Sequence, residues 1–287
     1  MITNQQRVSI INESLPFIRE FSGKTFVIKY GGASMTNQKL KKKVAEDIAI
    51  LNYIGVHPIV IHGGGPEINQ MLNKFNIKSE FKQGLRVTDK STMEVVEMVL
   101  TGKVQKEIVG LLNQSGAKAI GLSGKDGNLM KAKRYKSGDF DWGYTGEIES
   151  ISVEVLQTLI SQSFLPVISS VASNSKGETF NINADSVASS IAENLKTEKL
   201  ILLTDIPGIL RDKNNPDSLI SKLNLKEAKE LIEQKVIEGG MIPKVQSSIK
   251  AIESGVGSVH ILDGTKEHVL LLETLTEAGV GTMITES

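Results

Sequence analysis

Short runs rich in β-branched residues alternate with long amphipathic stretches along nearly all of this 287-residue chain, and that rhythm narrows the available folds more than any other feature. Strands are expected at Thr25–Tyr30, His57–His62, Ala117–Leu122, Leu165–Ile168, Lys199–Thr204 and Gly257–Leu262. Helices are expected near Asn37–Ile54, Glu67–Phe75, Thr92–Gln114, Val153–Gln162, Asp185–Asn194, Lys226–Gln234 and Val245–Glu253. The strand runs show little polar alternation, as strands covered on both faces must. This order builds an α/β fold, an αβα sandwich around an open, mainly parallel sheet. Such sheets bind ligands outside the carboxyl ends of their strands, so chemistry is expected there.

Two regions interrupt the rhythm. Asn128–Glu149 holds a basic stretch, a Gly-Asp pair and Tyr144-Thr145-Gly146-Glu147-Ile148, and reads as an inserted hairpin pair able to cover a site. Residues 1–22 form an extension ahead of the first strand, with Val8, Ile11, Leu15 and Ile18 at the spacing of one helix face. Pro16 within that pattern should kink the helix or end it. The run Lys39–Lys43 reads as a solvated helix face anchored by Leu40.

Whole-chain composition removes several classes of function. Lys+Arg and Asp+Glu balance at 33 each, without the basic excess that nucleic-acid binding requires. With no cysteine, there can be no disulfide, thiolate metal site or cysteine nucleophile. His57, His62, His260 and His268 lack metal-ligand spacing, and no metal site is expected. No apolar run approaches the roughly 20 residues that span a bilayer, and the N-terminus has no secretory apolar core. The expected setting is the cytoplasm, or the stroma for a plastid-encoded chain.

Glycine placement carries the strongest chemical signal. The first strand runs into Lys29-Tyr30-Gly31-Gly32-Ala33-Ser34 and the second into His62-Gly63-Gly64-Gly65-Pro66. Glycines between strand and helix let backbone N–H groups approach an anion, although plain turns also use them. Two such loops on one sheet edge point to phosphate. The common nucleotide motifs are absent: Ser22-Gly23-Lys24-Thr25 mimics a P-loop but precedes a strand, and no G-x-G-x-x-G occurs. Lys29, at a strand end, could lie over a transferring phosphoryl group or be a surface lysine. Gly239-Gly240-Met241-Ile242-Pro243 would fix Lys244 near a helix start. Asp185, in Asn181-Ile182-Asn183-Ala184-Asp185, is either an N-cap or a carboxylate that orients lysines.

Together with Gly84-Leu85-Arg86-Val87-Thr88, these segments resemble the acetylglutamate kinase branch of the amino-acid kinase family, from about Thr25 to the C-terminus. The resemblance implies an acceptor-binding lobe at about 23–190 and a nucleotide-binding lobe at about 191–287. It implies ATP-dependent phosphorylation of the side-chain carboxylate of N-acetyl-L-glutamate, with Mg²⁺ carried on the nucleotide. Lys29 and Lys244 would stabilise the transferring phosphoryl group and Asp185 would orient both. Gly31, Gly32, Gly63, Gly64 and Gly65 would cradle phosphate and the acceptor carboxylate, and Arg86 and Asn181 would hold acetylglutamate. Thr204, Asp205, Gly208 and Lys213 would edge the ATP pocket.

The resemblance also implies regulation. An N-terminal helix such as residues 1–22 goes with arginine-inhibited hexamers, and the matching arginine positions are His260, Glu273 and Gly279, with Lys213 as a fourth. The PII signal protein is a further partner of such enzymes. A sister kinase acting on carbamate, glutamate or aspartate, or an inactive arginine sensor, is the competing expectation.

Overall fold

The computed structural model describes residues 3–35, 37–277 and 279–287, with the side chains of Arg7 and Ala33 left aside. The chain opens with helix α1 (Asn4–Phe21), strand β1 (Thr25–Tyr30), α2 (Gln38–Tyr53), β2 (His57–His62) and α3 (Gly65–Lys74). A short hairpin follows, β3 (Glu80–Lys82) and β4 (Leu85–Val87). Next come α4 (Lys90–Glu97), a π-helical segment (Met98–Val104), α5 (Gln105–Gln114), β5 (Ala119–Leu122), β6 (Met130–Arg134) and β7 (Thr145–Ile151). The chain continues through α6 (Glu154–Ser161), β8 (Leu165–Ser169), β9 (Val171–Ser173), β10 (Thr179–Ile182), α7 (Ala184–Leu195) and β11 (Lys199–Thr204). It ends with β12 (Lys222–Asn224), α8 (Leu225–Glu233), α9 (Met241–Glu253), β13 (Ser258–Asp263), α10 (Val269–Leu275) and β14 (Thr282–Thr285).

Eight of the described strands form one sheet in the order β12-β14-β13-β11-β1-β2-β8-β5. The six from β13 to β5 run parallel, while β14 pairs antiparallel with β13. Residues of β1 divide between the two faces: Phe26, Ile28 and Tyr30 join one core with α2, α5 and α10, and Val27 joins the other with α7, α8 and α9. That burial on both sides explains the unalternated apolar runs, and the expected αβα sandwich is present.

Three local expectations change. The segment near Asn128–Glu149 supplies β6 and β7, which close with β9 and β10 into a small four-stranded barrel instead of standing as a pair of hairpins. The helix expected over Thr92–Gln114 contains a π-helical turn, which brings Leu100 and Val104 against the loop at Gly64. Helix α1 does not end at Pro16 but continues to Phe21. A proline costs an interior helix bond. Beyond it, Phe17 and Phe21 stack at 6.4 Å and Phe21 meets Phe26 edge-on at 5.4 Å, anchoring the last turn. In the Lys39–Lys43 run, Lys41 is mostly buried and pairs with Glu107 at 2.8 Å. No described helix is long and apolar enough to cross a membrane.

Candidate active site

The parallel register brings the ends of β1, β2 and β11 to one rim of the sheet, Lys29 lying beside Ile61 and Leu202. Lys29 and Lys244 converge there on Asp185. Helix α7 is capped by Asn183, whose side chain accepts from the Asp185 and Ser186 N–H groups at 2.8 and 3.3 Å. Asp185 is therefore not the N-cap, and its carboxylate is free for ion pairing. Lys29 Nζ lies 2.9 Å from Asp185 Oδ1, and Lys244 Nζ, in the first turn of α9, lies 2.5 Å from Oδ2. Burial works to raise the Asp185 carboxyl, but the two ammonium groups outweigh it and hold the group below the usual carboxylate range. Two cations on one carboxylate leave a positive excess facing the cavity.

That cavity, about 190 Å³, is lined by Lys29, Gly31, Gly32, Gly63, Gly64, Gly65 and Asp185 among others. Gly32 has a positive φ of 74°, and a Cβ there would strike the Asp205 carboxylate. A Cβ on Gly64 would meet Leu100 at 2.7 Å and Val104 at 3.2 Å, so the loop lies close against the π-helical turn. The Gly63 N–H points to the Tyr30 carbonyl at 3.4 Å, while Gly64 caps α3 with no side-chain cap bond. The first N–H groups of α3 are thus available to an anion. Burial pushes His62 down to about 4, so its neutral Nδ1–H donates to the Gly63 carbonyl at 2.8 Å. The P-loop mimic Ser22–Thr25 lies at the opposite end of β1, where Lys24 pairs with Glu198 at 3.3 Å.

A second cavity of about 160 Å³ shares Gly63, Gly64, Gly65, Asn183 and Ala184 with the first and adds Arg86, Asn181, Thr145 and Phe81. Arg86 is almost fully buried on β4, with its guanidinium 4.5 Å from the Phe81 ring centre. It donates to the Gly65 carbonyl at 3.4 Å and to Ser79. Burial lowers its pKa to about 10, which leaves it a cation at neutral pH. A guanidinium fork beside an amide, at the rim of a phosphate-type loop, suits a carboxylate-bearing molecule.

The remaining expected residues divide into two groups. Thr204 closes β11 and exchanges 3.1 Å hydrogen bonds with Ile206, shaping the loop that carries Asp205 and Gly208. Lys213 is exposed and pairs with Glu238 at 3.4 Å. Away from this rim, His260 Nδ1 lies 2.7 Å from Glu273, and a Cβ on Gly279 would lie 3.3 Å from the Glu273 carboxylate. The structure adds Lys199 to that group, 3.2 Å from His260 Nε2. Its sequence signal was a lysine opening an otherwise apolar strand. Thr88 and Thr145, which touch Arg86 and each other, sat unassigned inside motifs already singled out.

A family model described as the amino acid kinase family matches residues 24–263, which include the glycine loops, Arg86, Asp185 and Lys244. The chain belongs to the amino acid kinase family. Among curated members, the acetylglutamate kinase of Carboxydothermus hydrogenoformans is 54% identical over 288 residues, covering 98% of each chain. That of Gracilaria tenuistipitata var. liui is 53% identical, covering 99% of each. Among solved structures, N-acetylglutamate synthase of Neisseria gonorrhoeae, complexed with coenzyme A and N-acetylglutamate, superposes with a TM-score of 0.85 at 27% identity. The match takes in 98% of this amino acid kinase chain and 63% of that one.

Proposed function

We propose that this protein transfers the γ-phosphoryl group of ATP to the side-chain carboxylate of N-acetyl-L-glutamate. The observation that carries the reading is the Lys29–Asp185–Lys244 cluster, whose Lys29 and Asp185 line a cavity that shares the Gly63–Gly65 loop with the cavity holding Arg86 and Asn181. High identity to acetylglutamate kinases over nearly the whole chain supports the same acceptor.

The chemistry fits a site without a general base. A carboxylate is ionised at neutral pH, so one of its oxygens attacks the γ-phosphorus directly. A P–O bond forms to give an acyl phosphate, the bond to the β–γ bridging oxygen breaks, and ADP departs. The obstacle is repulsion between anions, which two fixed ammonium groups and loop N–H dipoles offset, while Arg86 and Asn181 hold the acceptor in line. Asp185 positions the lysines. Thr204, Asp205, Gly208 and Lys213 are proposed to edge the ATP pocket, within a nucleotide lobe at about 191–287 facing an acceptor lobe at about 23–190. Among the described residues, no group of three or more His, Cys, Asp or Glu stands ready to hold a metal. Mg²⁺ is proposed to enter with the nucleotide, where it would offset phosphate charge.

The proposal extends to control. Arginine is assigned to the His260, Glu273 and Gly279 region, a buried carboxylate able to take a guanidinium, with Lys213 retained as a candidate contact. A hexamer built through α1 is supported by the exposed Val8, Ile11 and Leu15. PII binding and a cytoplasmic or stromal setting complete the reading. The decisive experiment offers purified protein with ATP and a panel of acetylglutamate, glutamate, aspartate and carbamate. Hydroxylamine capture reports acyl phosphate from the carboxylic acids, and ADP release reports turnover of every acceptor. Acetylglutamate should be preferred. Preference for another acceptor, or arginine binding with no turnover, overturns the assignment.

A further inference from the structure

Arg86 and Asn181 lie on strands far apart in sequence, yet one buried hydroxyl joins them. Thr88 has no exposed surface and does not line the acceptor cavity. Its Oγ1 donates to the Arg86 carbonyl at 2.9 Å, and Thr145 Oγ1 donates to the same oxygen at 2.6 Å. A carbonyl oxygen has two lone pairs, so these hydroxyls saturate it. With its only proton committed there, Thr88 Oγ1 can act only as an acceptor toward its other neighbours. The side-chain Nδ2 of Asn181 donates to it at 3.2 Å.

We infer that Thr88 is a positioning residue for acceptor recognition, using one hydroxyl to fix the Arg86 backbone and the amide orientation of Asn181 together. The inference rests on reading the Arg86–Asn181 cavity as the acetylglutamate site. The geometry constrains both ends. Were the Asn181 amide turned over, its Oδ1 would face the lone pairs of Thr88, and the hydroxyl would have to abandon Arg86. That would give up the Thr88–Arg86 bond, whereas the observed amide orientation, with Nδ2 on Thr88, keeps both bonds of the one hydroxyl. Thr88 is itself held from outside the cavity. Its N–H donates to the Trp142 carbonyl at 3.4 Å, its carbonyl accepts from the Tyr144 N–H at 2.5 Å, and it bridges to Gly143. The barrel loop therefore transmits its rigidity through Thr88 to two acceptor contacts at once.

The test compares Thr88→Val, which keeps the shape and removes the hydroxyl, with Thr88→Ser, which keeps the hydroxyl. Thr88→Val should raise the KM for acetylglutamate roughly tenfold and leave that for ATP within about twofold, whereas Thr88→Ser should stay near wild type. Calorimetric binding of acetylglutamate alone should show the same pattern. In an Asn181→Ala background the added cost of Thr88→Val should shrink, because its main route of action is gone. If Thr88→Val does not fold, Thr88→Ala is judged by the same criteria. Equal loss of both substrates, an unchanged acetylglutamate KM, no rescue by serine, or full additivity with Asn181→Ala would each overturn the inference. Wild-type protein that neither binds nor phosphorylates acetylglutamate would instead refute the reading of the cavity, so the two failures are distinguishable.

Discussion

Two three-residue charge clusters sit toward opposite edges of the same sheet and are built on contrary principles. Lys29, Asp185 and Lys244 meet at the carboxyl edge with side-chain exposures of 12%, 23% and 23%, and carry one more cation than anion. Lys199 opens β11 at the amino edge and meets His260 and Glu273, which are 2% and 4% exposed. That second group is balanced. His260 donates from Nδ1 to Glu273, leaving the one lone pair of Nε2 to Lys199 at 3.2 Å, with Ser258 Oγ 3.0 Å away. Glu273 also accepts from the Val280 and Gly281 N–H groups at 2.7 and 3.2 Å. An anionic transition state needs unspent positive charge beside a cavity, whereas a dry cluster must close its hydrogen bonds internally. Position along the strand thus separates an open group with spare positive charge from a buried one whose hydrogen bonds close on themselves.

Removing one lysine from each cluster is the sharpest way to break this contrast. Lys29→Ala should lower turnover by roughly 10²- to 10³-fold with the fold retained, the scale for losing one preorganised charge. Lys199→Met should leave turnover within about threefold while changing the unfolding midpoint. Steady-state kinetics beside thermal unfolding reads both. Equal kinetic damage from the two would end the division of roles. Arg86→Lys comes next in size. It keeps a cation but loses the planar fork, so the KM for acetylglutamate should rise roughly tenfold or more while that for ATP moves little. Equal movement of both would make Arg86 structural.

The carboxyl-edge cluster was largely legible in the sequence and the amino-edge cluster only in part. Lys29 and Lys244 are flagged by Gly31-Gly32 and by Gly239-Gly240 with Pro243, because backbone punctuation is a local signal. Asp185 remained ambiguous because Asn183 two residues earlier competes for the cap, and only the structure gives that role to Asn183. Lys199 stands out locally only as a lysine opening an apolar strand, and its role stays hidden because it depends on His260, 61 residues away, and on the Phe21 ring 4.6 Å distant. The αβα frame followed from short unalternated apolar runs alternating with long amphipathic stretches. The three-residue strands β3, β4, β9 and β12 are too short to display a period, and pairing within the hairpin, barrel and sheet creates them.

The clusters should also part company on acidification. Burial pushes the His260 imidazole below its ordinary value, the Glu273 bond pulls it part of the way back, and the Lys199 ammonium pushes it down again. As pH falls below about 6.5 the unfolded chain takes a proton that the native His260 refuses, so the stability this group contributes drains away. Asp185 is depressed from a carboxylate value, so its contribution persists until pH falls below about 4. Urea unfolding of wild type and His260→Gln between about pH 7 and pH 5 should give a difference that shrinks by at most about 1.4 kcal/mol per pH unit. The same comparison with Lys29→Ala should be flat over that range. His62, pushed down to about 4, and Asp47, raised by burial to about 6, titrate in both proteins and cancel in the difference. A pH-independent His260 difference would show that the amino-edge cluster does not resist protonation.

Deleting residues 1–22 should disturb basal chemistry least, because α1 stands at the amino edge. Only its last turns reach the body: Phe17 is partly buried and Phe21 buried, whereas Val8, Ile10, Ile11 and Leu15 are 56%, 52%, 61% and 40% exposed. A lid over its own core would bury that stripe. An apolar face left open along a terminal helix instead suits a second copy of the same helix in a self-complementary two-fold contact, and dimers joined this way can close into a ring. Phe21 lies against Lys199, so a ligand that reorganises the Lys199–His260–Glu273 group would be felt at the root of α1. Arginine can shift such an assembly only by binding one arrangement more tightly than another. The truncated protein should therefore be a dimer with basal turnover within about twofold of wild type and weak or absent arginine inhibition. Light scattering reports the mass, and assays with and without arginine report the coupling. A truncated protein that remains hexameric and fully inhibited would mean that ring closure and inhibition reside in the sandwich itself, and that α1 contributes only the packing of Phe17 and Phe21.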